Sequence, residues 1–361
     1  MKNYVLVFGG QSVEHDISIL TALNFNNSYV GDNRLASLYI SKTGEWFFCA
    51  KRLNKDMFRG ELSSEFIPVK FITNDKCLYT KTLLGYKKVF EIDIAINCCH
   101  GGAGEKGELN FAFTSRNIPV SAGSVLGLSC AMDKAMAKKV FIASGIPTVP
   151  WLEYGKAALM SAIIKDVESF GYPVVVKPNA LGSSIGVQKV DNPNELVKAV
   201  NVAFEFDDKI IIERAVTNVR EFNCAIIKGK DCVLSEIDEP VKGKVFSFAD
   251  KYLKKGTGGK SKTKQKFSPV ILSQKLSGNI RELTKRCVEE LGLFGVIRVD
   301  FLYDAKRGKL YVNEVNAVPG TLAYFLFKNM TQTKMIEALA KIAEEQMQFK
   351  IKSEYITEVL K

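Results

Sequence analysis

The stretch from Val296 to Gly320, VIRVDFLYDAKRGKLYVNEVNAVPG, gathers oxygen-bearing side chains in a pattern that could hold a divalent cation. Arg298 and Asp300 lie two residues apart, as do Glu314 and Asn316, so each pair points to one face of an extended strand. Two apolar strands joined by the charged turn Asp304-Ala-Lys-Arg-Gly308 predict a hairpin. In its simplest register one face carries two carboxylates, a carboxamide and a guanidinium. Hard oxygen donors without Cys or His suit Mg²⁺, which one or two carboxylates hold together with substrate phosphates. The plain alternative is a half-buried hairpin with a solvated polar face. Ile297, Val299 and Val315 argue instead for central strands, and Pro319-Gly320 is a turn that can bring backbone N–H groups to a ligand.

Phosphate chemistry has its own candidates. Lys177 sits inside the apolar run YPVVVKP, where a cation needs an anion nearby. The segment Ala180-Leu-Gly-Ser-Ser-Ile-Gly186 follows, with the backbone freedom and hydroxyls of Ser183 and Ser184 to cap phosphates. It lacks GK[ST] and a following helix, so it is not a Walker P-loop. Lys134 projects from the start of a helix. Glu213 ends the apolar run KIIIER, and Glu221 opens EFNCAIIKG; such carboxylates can face a base or ribose, or merely cap a surface.

The elements that must position these residues read as an α/β chain. A buried strand over 4–8 leads through Gly9-Gly10 into an amphipathic helix carrying Ile17, Leu20 and Leu23. Glu14 lies in its first turn, where it complements the helix dipole or binds a cationic group. Strands are expected at Leu35–Ile40, Glu45–Cys49 and Phe90–Asn97. The last leads into the glycine-rich run His100–Gly107, which is not a dinucleotide fingerprint. His100 there reads as a hydrogen-bonded structural residue rather than a catalyst. Helices are expected over Leu128–Ser144, Lys156–Phe170, Asn194–Phe206, Ser273–Leu291 and Thr333–Gln348. Between them come strands Tyr172–Pro178, Val187–Val190 and Lys209–Arg214.

Whole-chain numbers exclude several classes. With 361 residues, 47% hydrophobic and 25% charged, the chain is long enough for two or three cored domains. The eight cysteines form no CxxC and read as reduced core thiols, not a disulfide frame or zinc site. No run approaches the roughly 18 apolar residues of a membrane span. The opening MKNYVLVFGG is too short an apolar run for a signal peptide, so the cytoplasm is expected. Fifty Lys and Arg against 39 Asp and Glu give +11, which suits a polyanionic partner such as a nucleotide triphosphate, nucleic acid or a membrane surface. The densest basic run, Lys251–Lys266, contains no acidic residue and three glycines; it is expected to be a long mobile loop, solvated or phosphate-covering.

In this order the motifs resemble the ATP-grasp superfamily, and within it the D-alanine–D-alanine ligase family. The residues that carry the likeness are FGGQSVEHDIS, HGGAGEKGELN, MDKAMAKKVF, VVVKPNALGSSIGV, FADKYLKKG, GVIRVDF and VNEVNAVPG. The resemblance implies a three-domain ATP-grasp fold: an N-terminal open α/β domain over residues 1–122, a central subdomain over 123–215 and a C-terminal subdomain over 216–361. It implies that Lys134, Lys177, Ser183, Ser184 and Lys251 serve the ATP phosphates, with Glu213 at the adenine and Glu221 at the ribose. Asp300, Glu314 and Asn316 would hold two Mg²⁺ ions, with Mn²⁺ possible. Glu14, Ser183, Arg298, the Gly320 backbone and Tyr252 would act on the amino acids. The implied reaction joins two D-alanines through an acylphosphate for peptidoglycan, in a cytoplasmic homodimer with no nucleic-acid or membrane partner. Three departures bear on the second substrate: Gly320-Thr-Leu-Ala-Tyr-Phe325 lacks an expected serine, Lys106 replaces an acidic residue, and the segment from Glu213 to Glu221 is one residue longer. Tyr252 favours D-alanine over D-lactate. D-serine or another amino acid stays open, as does a non-catalytic nucleotide or nucleic-acid binder.

Overall fold

The computed structural model describes residues 1–240 and 270–347. Strand β1 (Asn3–Gly9) is buried along almost its whole length, so its apolar run is continuous rather than alternating. Helix α1 (His15–Ser28) returns the chain to β2 (Arg34–Ile40), which pairs with β1 in parallel. β3 (Trp46–Cys49) and β4 (Ile67–Val69) extend the sheet antiparallel on that side. β5 (Cys77–Thr82) and β6 (Gly85–Glu91) form a separate two-stranded ribbon, and β7 (Ile94–Asn97) returns to the other edge of β1, giving the order β4-β3-β2-β1-β7. The single strand expected over Phe90–Asn97 is therefore two. Phe90 pairs with Leu78 in the ribbon while Ile94 pairs with Tyr4 in the sheet, so one apolar run serves two partners. Gly9 has φ +91° and a Cβ there would stand 2.1 Å from Ile40 O, so only glycine lets β1 turn out of the sheet. Short helices α2 (Gly102–Lys106) and α3 (Glu108–Thr114) follow the glycine-rich run.

The expected helix over Leu128–Ser144 is broken into α4 (Val125–Met132) and α5 (Lys134–Ala143). Asp133 between them is extended (φ −79°, ψ 101°) and caps α5 by accepting from Met136 N at 2.8 Å. Asn179 receives the next two amides, Lys134 N on its carbonyl and Ala135 N on its side chain. The break therefore starts a fresh helix with Lys134 at its N-terminus, against the segment that follows Pro178.

β8 (Trp151–Gly155), α6 (Met160–Phe170), β9 (Val174–Pro178), β10 (Gln188–Val190), α7 (Pro193–Phe206) and β11 (Lys209–Arg214) complete a middle layer. Its sheet runs β10-β9-β11-β8, antiparallel throughout, and α6 and α7 bury Ile163, Val167, Leu196 and Val200 on one face. β12 (Val219–Lys228), β13 (Cys232–Asp238), α8 (Gln274–Glu290), β14 (Gly295–Asp304) and β15 (Lys309–Asn316) make the next, with order β13-β12-β14-β15. Phe222, Cys224, Val299 and Phe301 join Ile280 and Cys287 of α8 in its core. A 3₁₀ turn (Gly320–Leu326) leads to α9 (Gln332–Met347), which returns to the first layer: Tyr4 and Tyr29 both donate their hydroxyls to Glu337. Among the described residues no helix is long and apolar enough to cross a membrane.

Candidate active site

The hairpin β14–β15 does not pair in a straight ladder. From Asp304↔Lys309 to Phe301↔Val312 the register is regular; it then shifts, so that Asp300 faces Glu314 and Arg298 faces Asn316. Asn313 is the extra residue, a β-bulge. Without it Asp300 would face Asn313, and Glu314 would share the face of the buried Val299 and Phe301. The bulge keeps Val312 and Val315, three apart in sequence, both in the core. It also leaves Arg298, Asp300, Glu314 and Asn316 together on the polar face, as expected, though by a different register.

Asp300 is the centre of that face. Arg298 grips it with two donors, Nε at 2.6 Å and Nη2 at 2.8 Å, and Asn316 Nδ2 donates at 3.1 Å. The Asn223 amide, oriented to donate, adds a further contact at 3.1 Å from the neighbouring β12. Burial pushes the Asp300 carboxyl up, against the pull of Arg298, and the facing Glu314 adds to the rise. Asp300, Glu314 and Asn316 form a hard oxygen set. Among the described residues no cluster of three His, Cys, Asp or Glu side chains is arranged to hold a metal by itself.

Two lysines face this set from the middle layer. Lys134 Nζ donates to Leu181 O at 2.6 Å and stands 3.9 Å from Glu314. Lys177 Nζ donates to Asn313 Oδ1 at 3.2 Å and pairs with Glu213 at 2.6 Å. Burial opposes charge on Lys177, but Glu213, then Glu314 and Glu221, outweigh it and raise its pKa. Glu213 is the anion that Lys177 requires. A third lysine, Lys138, lies 2.8 Å from the other oxygen of Glu213. Burial pushes the Glu213 carboxyl up, yet Lys177 and Lys138 together bring it down to about 2.

The glycine-serine flap meets the first layer here. Ser183 and Ser184 both have left-handed backbones (φ 55° and 58°), and Ser183 Oγ donates to Glu14. Glu14 makes no capping bond to its own helix, so its carboxylate is turned to the flap rather than to α1. A Cβ on Gly182 would stand 2.7 Å from Glu14, so glycine permits the close approach. Behind Glu14, Glu105 accepts from Gly101 N at 2.7 Å and Val318 N at 3.0 Å, linking the glycine-rich run to the turn after β15. Burial and the nearby Glu14 push the Glu105 carboxyl up to about 7. His100 is buried between Val318 O (2.7 Å) and Thr21 Oγ1 (2.8 Å), and Thr21 also receives Thr321 N at 3.2 Å. The residues after Gly320 make a left-handed turn, with φ of 50°, 49° and 47° at Thr321, Leu322 and Ala323.

The structure thus brings Glu14, Lys134, Lys177, Ser183, Glu213, Arg298, Asp300, Glu314 and Asn316 together through the contacts between the three layers, and Gly320 follows two residues after Val318, which His100 and Glu105 hold. Ser184 and Glu221 are exposed, and Glu221 acts on Lys177 through its charge. Lys251 and Tyr252 lie outside the described residues. Sequence reasoning missed Lys138, Glu105, Thr21, Asn223 and Asn313. Two had a signal: Lys138 is one helical turn after Lys134, and the apolar spacing of Val312 and Val315 breaks the strand period beside Asn313.

The models of the D-ala D-ala ligase N-terminus and C-terminus match residues 3–123 and 140–344. A curated D-alanine–D-alanine ligase from Thermosipho africanus is 34% identical over 353 residues, 96% of this chain and 94% of its own length. The solved D-alanine–D-alanine ligase from Coxiella burnetii superposes with a TM-score of 0.80 at 22% identity, covering 96% of this chain and 95% of that one. The VanG D-Ala:D-Ser ligase from Enterococcus faecalis gives 0.77 at 25% identity, covering 95% and 99%.

Proposed function

This chain belongs to the D-alanine–D-alanine ligase family, and we propose that the residues lining its central cleft hold both amino acids, the nucleotide and magnesium. It is an ATP-dependent, ADP-forming carboxylate–amine ligase of ATP-grasp fold that joins two D-alanines through an acylphosphate for peptidoglycan synthesis. A carboxylate is a poor electrophile. Its oxygen takes the γ-phosphoryl group of ATP and ADP leaves; the amine of the second amino acid then attacks the acyl carbon and phosphate leaves.

The observation that carries the residue assignment is the face of Asp300, Glu314 and Asn316 opposed by Lys134 and Lys177 across the cleft. Asp300, Glu314 and Asn316 are the residues that would hold two magnesium ions, or manganese in their place, whose contribution when bound is to offset charge on the transferring phosphoryl group. Lys134 and Lys177 hold the phosphates, and Ser183 and Ser184 cap them. Glu213 accepts from the adenine amino group and Glu221 from the ribose. Glu14 holds the ammonium of the first D-alanine, and its bond to Ser183 couples that contact to the flap. Arg298 and the Gly320 N–H face the oxyanion of the second step; one such donor is commonly worth on the order of 10²–10³ in kcat. Lys251 and Tyr252, which lie outside the described residues, are assigned to the phosphates and to the amino acids by the family resemblance alone.

The units fall at 1–122, 123–215 and 216–361, and the working form is a cytoplasmic homodimer. D-alanine is the second substrate; the Thr321–Phe325 run, which lacks the expected serine, keeps D-serine or another amino acid as the alternative. ADP release measured against D-alanine, D-serine, D-lactate and L-amino acids, with product mass determined, tests both. Absence of D-alanine-dependent ADP release would overturn the assignment.

A further inference from the structure

We propose that Lys138 is a positioning residue that selects the nucleotide base, by keeping Glu213 ionised and fixed for a purine 6-amino group. This rests on the placement of Glu213 at the adenine. Lys138 is 1% exposed and Glu213 2%. Lys138 Nζ lies 2.8 Å from Glu213 Oε1, donates to Thr148 Oγ1 at 2.6 Å, and stands over the Trp151 ring at 5.7 Å. Thr148 is itself fixed by a bond to Val312 O at 3.1 Å. Lys138 is therefore anchored behind the cleft wall, while Lys177 on the other oxygen of Glu213 reaches forward to Asn313.

The two lysines divide the work. A triphosphate draws on Lys177, and a buried carboxylate left with no cation is costly. Lys138 stays with Glu213 whatever Lys177 does. Lys138 Nζ lies on Glu213 Oε1, and a carboxylate oxygen has a second lone pair for another donor. An ionised carboxylate accepts an amino N–H but repels the lone pairs of a 6-oxo group, so adenine is taken over hypoxanthine.

The test measures Mg·ATP and Mg·ITP affinity by calorimetry, without amino acid, on the full chain and on Lys138→Met, Lys138→Arg, Thr148→Val and Glu213→Gln. Lys138→Met is expected to lower the ATP-to-ITP affinity ratio at least about tenfold, near the worth of one hydrogen bond to a charged group. Lys138→Arg should recover part of it, and Thr148→Val should shift it the same way by less. A merely structural lysine would weaken both nucleotides equally. If Glu213→Gln lowers the ratio and folded Lys138→Met does not, Lys138 has no selecting role and the proposal falls while Glu213 keeps its place. If Glu213→Gln leaves the ratio intact, the adenine placement fails and this proposal with it. Should Lys138→Met not fold, an unchanged ratio in Thr148→Val overturns it.

Discussion

Asp300 and Glu314 are cross-strand partners only because Asn313 is inserted between the regular ladder and the end of β15. Two carboxylates facing each other on a part-buried surface repel, and the arrangement persists because Arg298, Asn316 and Lys134 surround them. Such a pair is stable alone only with cations nearby, which suits a surface that takes up metal and phosphate together.

The first expectation concerns that pair. Asp300→Asn and Glu314→Gln should each lower kcat by on the order of 10²-fold or more at saturating ATP, as loss of charge stabilisation in a phosphoryl-transfer site does. A chelator should abolish ADP release, and Mg²⁺ or Mn²⁺ should restore it. Melting curves of Glu314→Gln should stay close to the parent's, because that change also relieves the repulsion from Asp300, while Asp300→Asn should melt lower because it takes the carboxylate from the largely buried Arg298.

Glu14 and Ser183 should behave as a unit toward the first amino acid. Glu14→Gln is expected to raise KM for D-alanine by about 10-fold or more, the range for a lost charged hydrogen bond, with ATP affinity little changed. Ser183→Ala should move KM in the same direction. Equal loss of ATP and D-alanine affinity in Glu14→Gln would speak against this placement.

The α9 contact is expected to act on stability alone. Tyr29→Phe and Glu337→Gln each remove a hydrogen bond to a charged group and should cost about 1–3 kcal/mol. Chemical denaturation should show the loss while kcat at saturating substrates is unchanged, because Glu337 touches Tyr4, Tyr29 and Asn33 and none of the cleft residues.

Glu105 gives a pH signature. Its carboxyl is raised from an ordinary 4.5 to about 7 by burial and then by Glu14. Between those values the folded chain keeps a proton that the unfolded chain has released, so Glu105 makes stability fall as pH rises from about 4.5 to about 7. Glu105→Gln, which cannot titrate, should flatten that part of the curve of denaturation midpoint against pH.

Much of this was legible in the chain itself. Alternation in β14, the capping Gly and Pro residues around α6, and the apolar run of β11 are local properties, set by neighbours a few residues away. Two boundaries were not. The run Phe90–Asn97 carries one uniform apolar signal but changes partner at Ile92-Asp93, and periodicity does not name a partner. The break at Asp133 is made by Asn179 and Lys209, which no window around the helix contains.

By itself the sequence determined which chemistry was available: hard oxygens on a hairpin, lysines at a strand and a helix start, and hydroxyls on a glycine flap. Residue type fixes charge and donor character before any folding. Tertiary structure decided which groups meet. It turned Glu14 from its helix to Ser183, 169 residues away, placed Lys138 rather than solvent behind Glu213, and used a bulge to turn Glu314 toward Asp300. The reason is physical: charge pairing depends on ångström separations between distant segments, and those are set by how buried layers pack rather than by spacing along the chain.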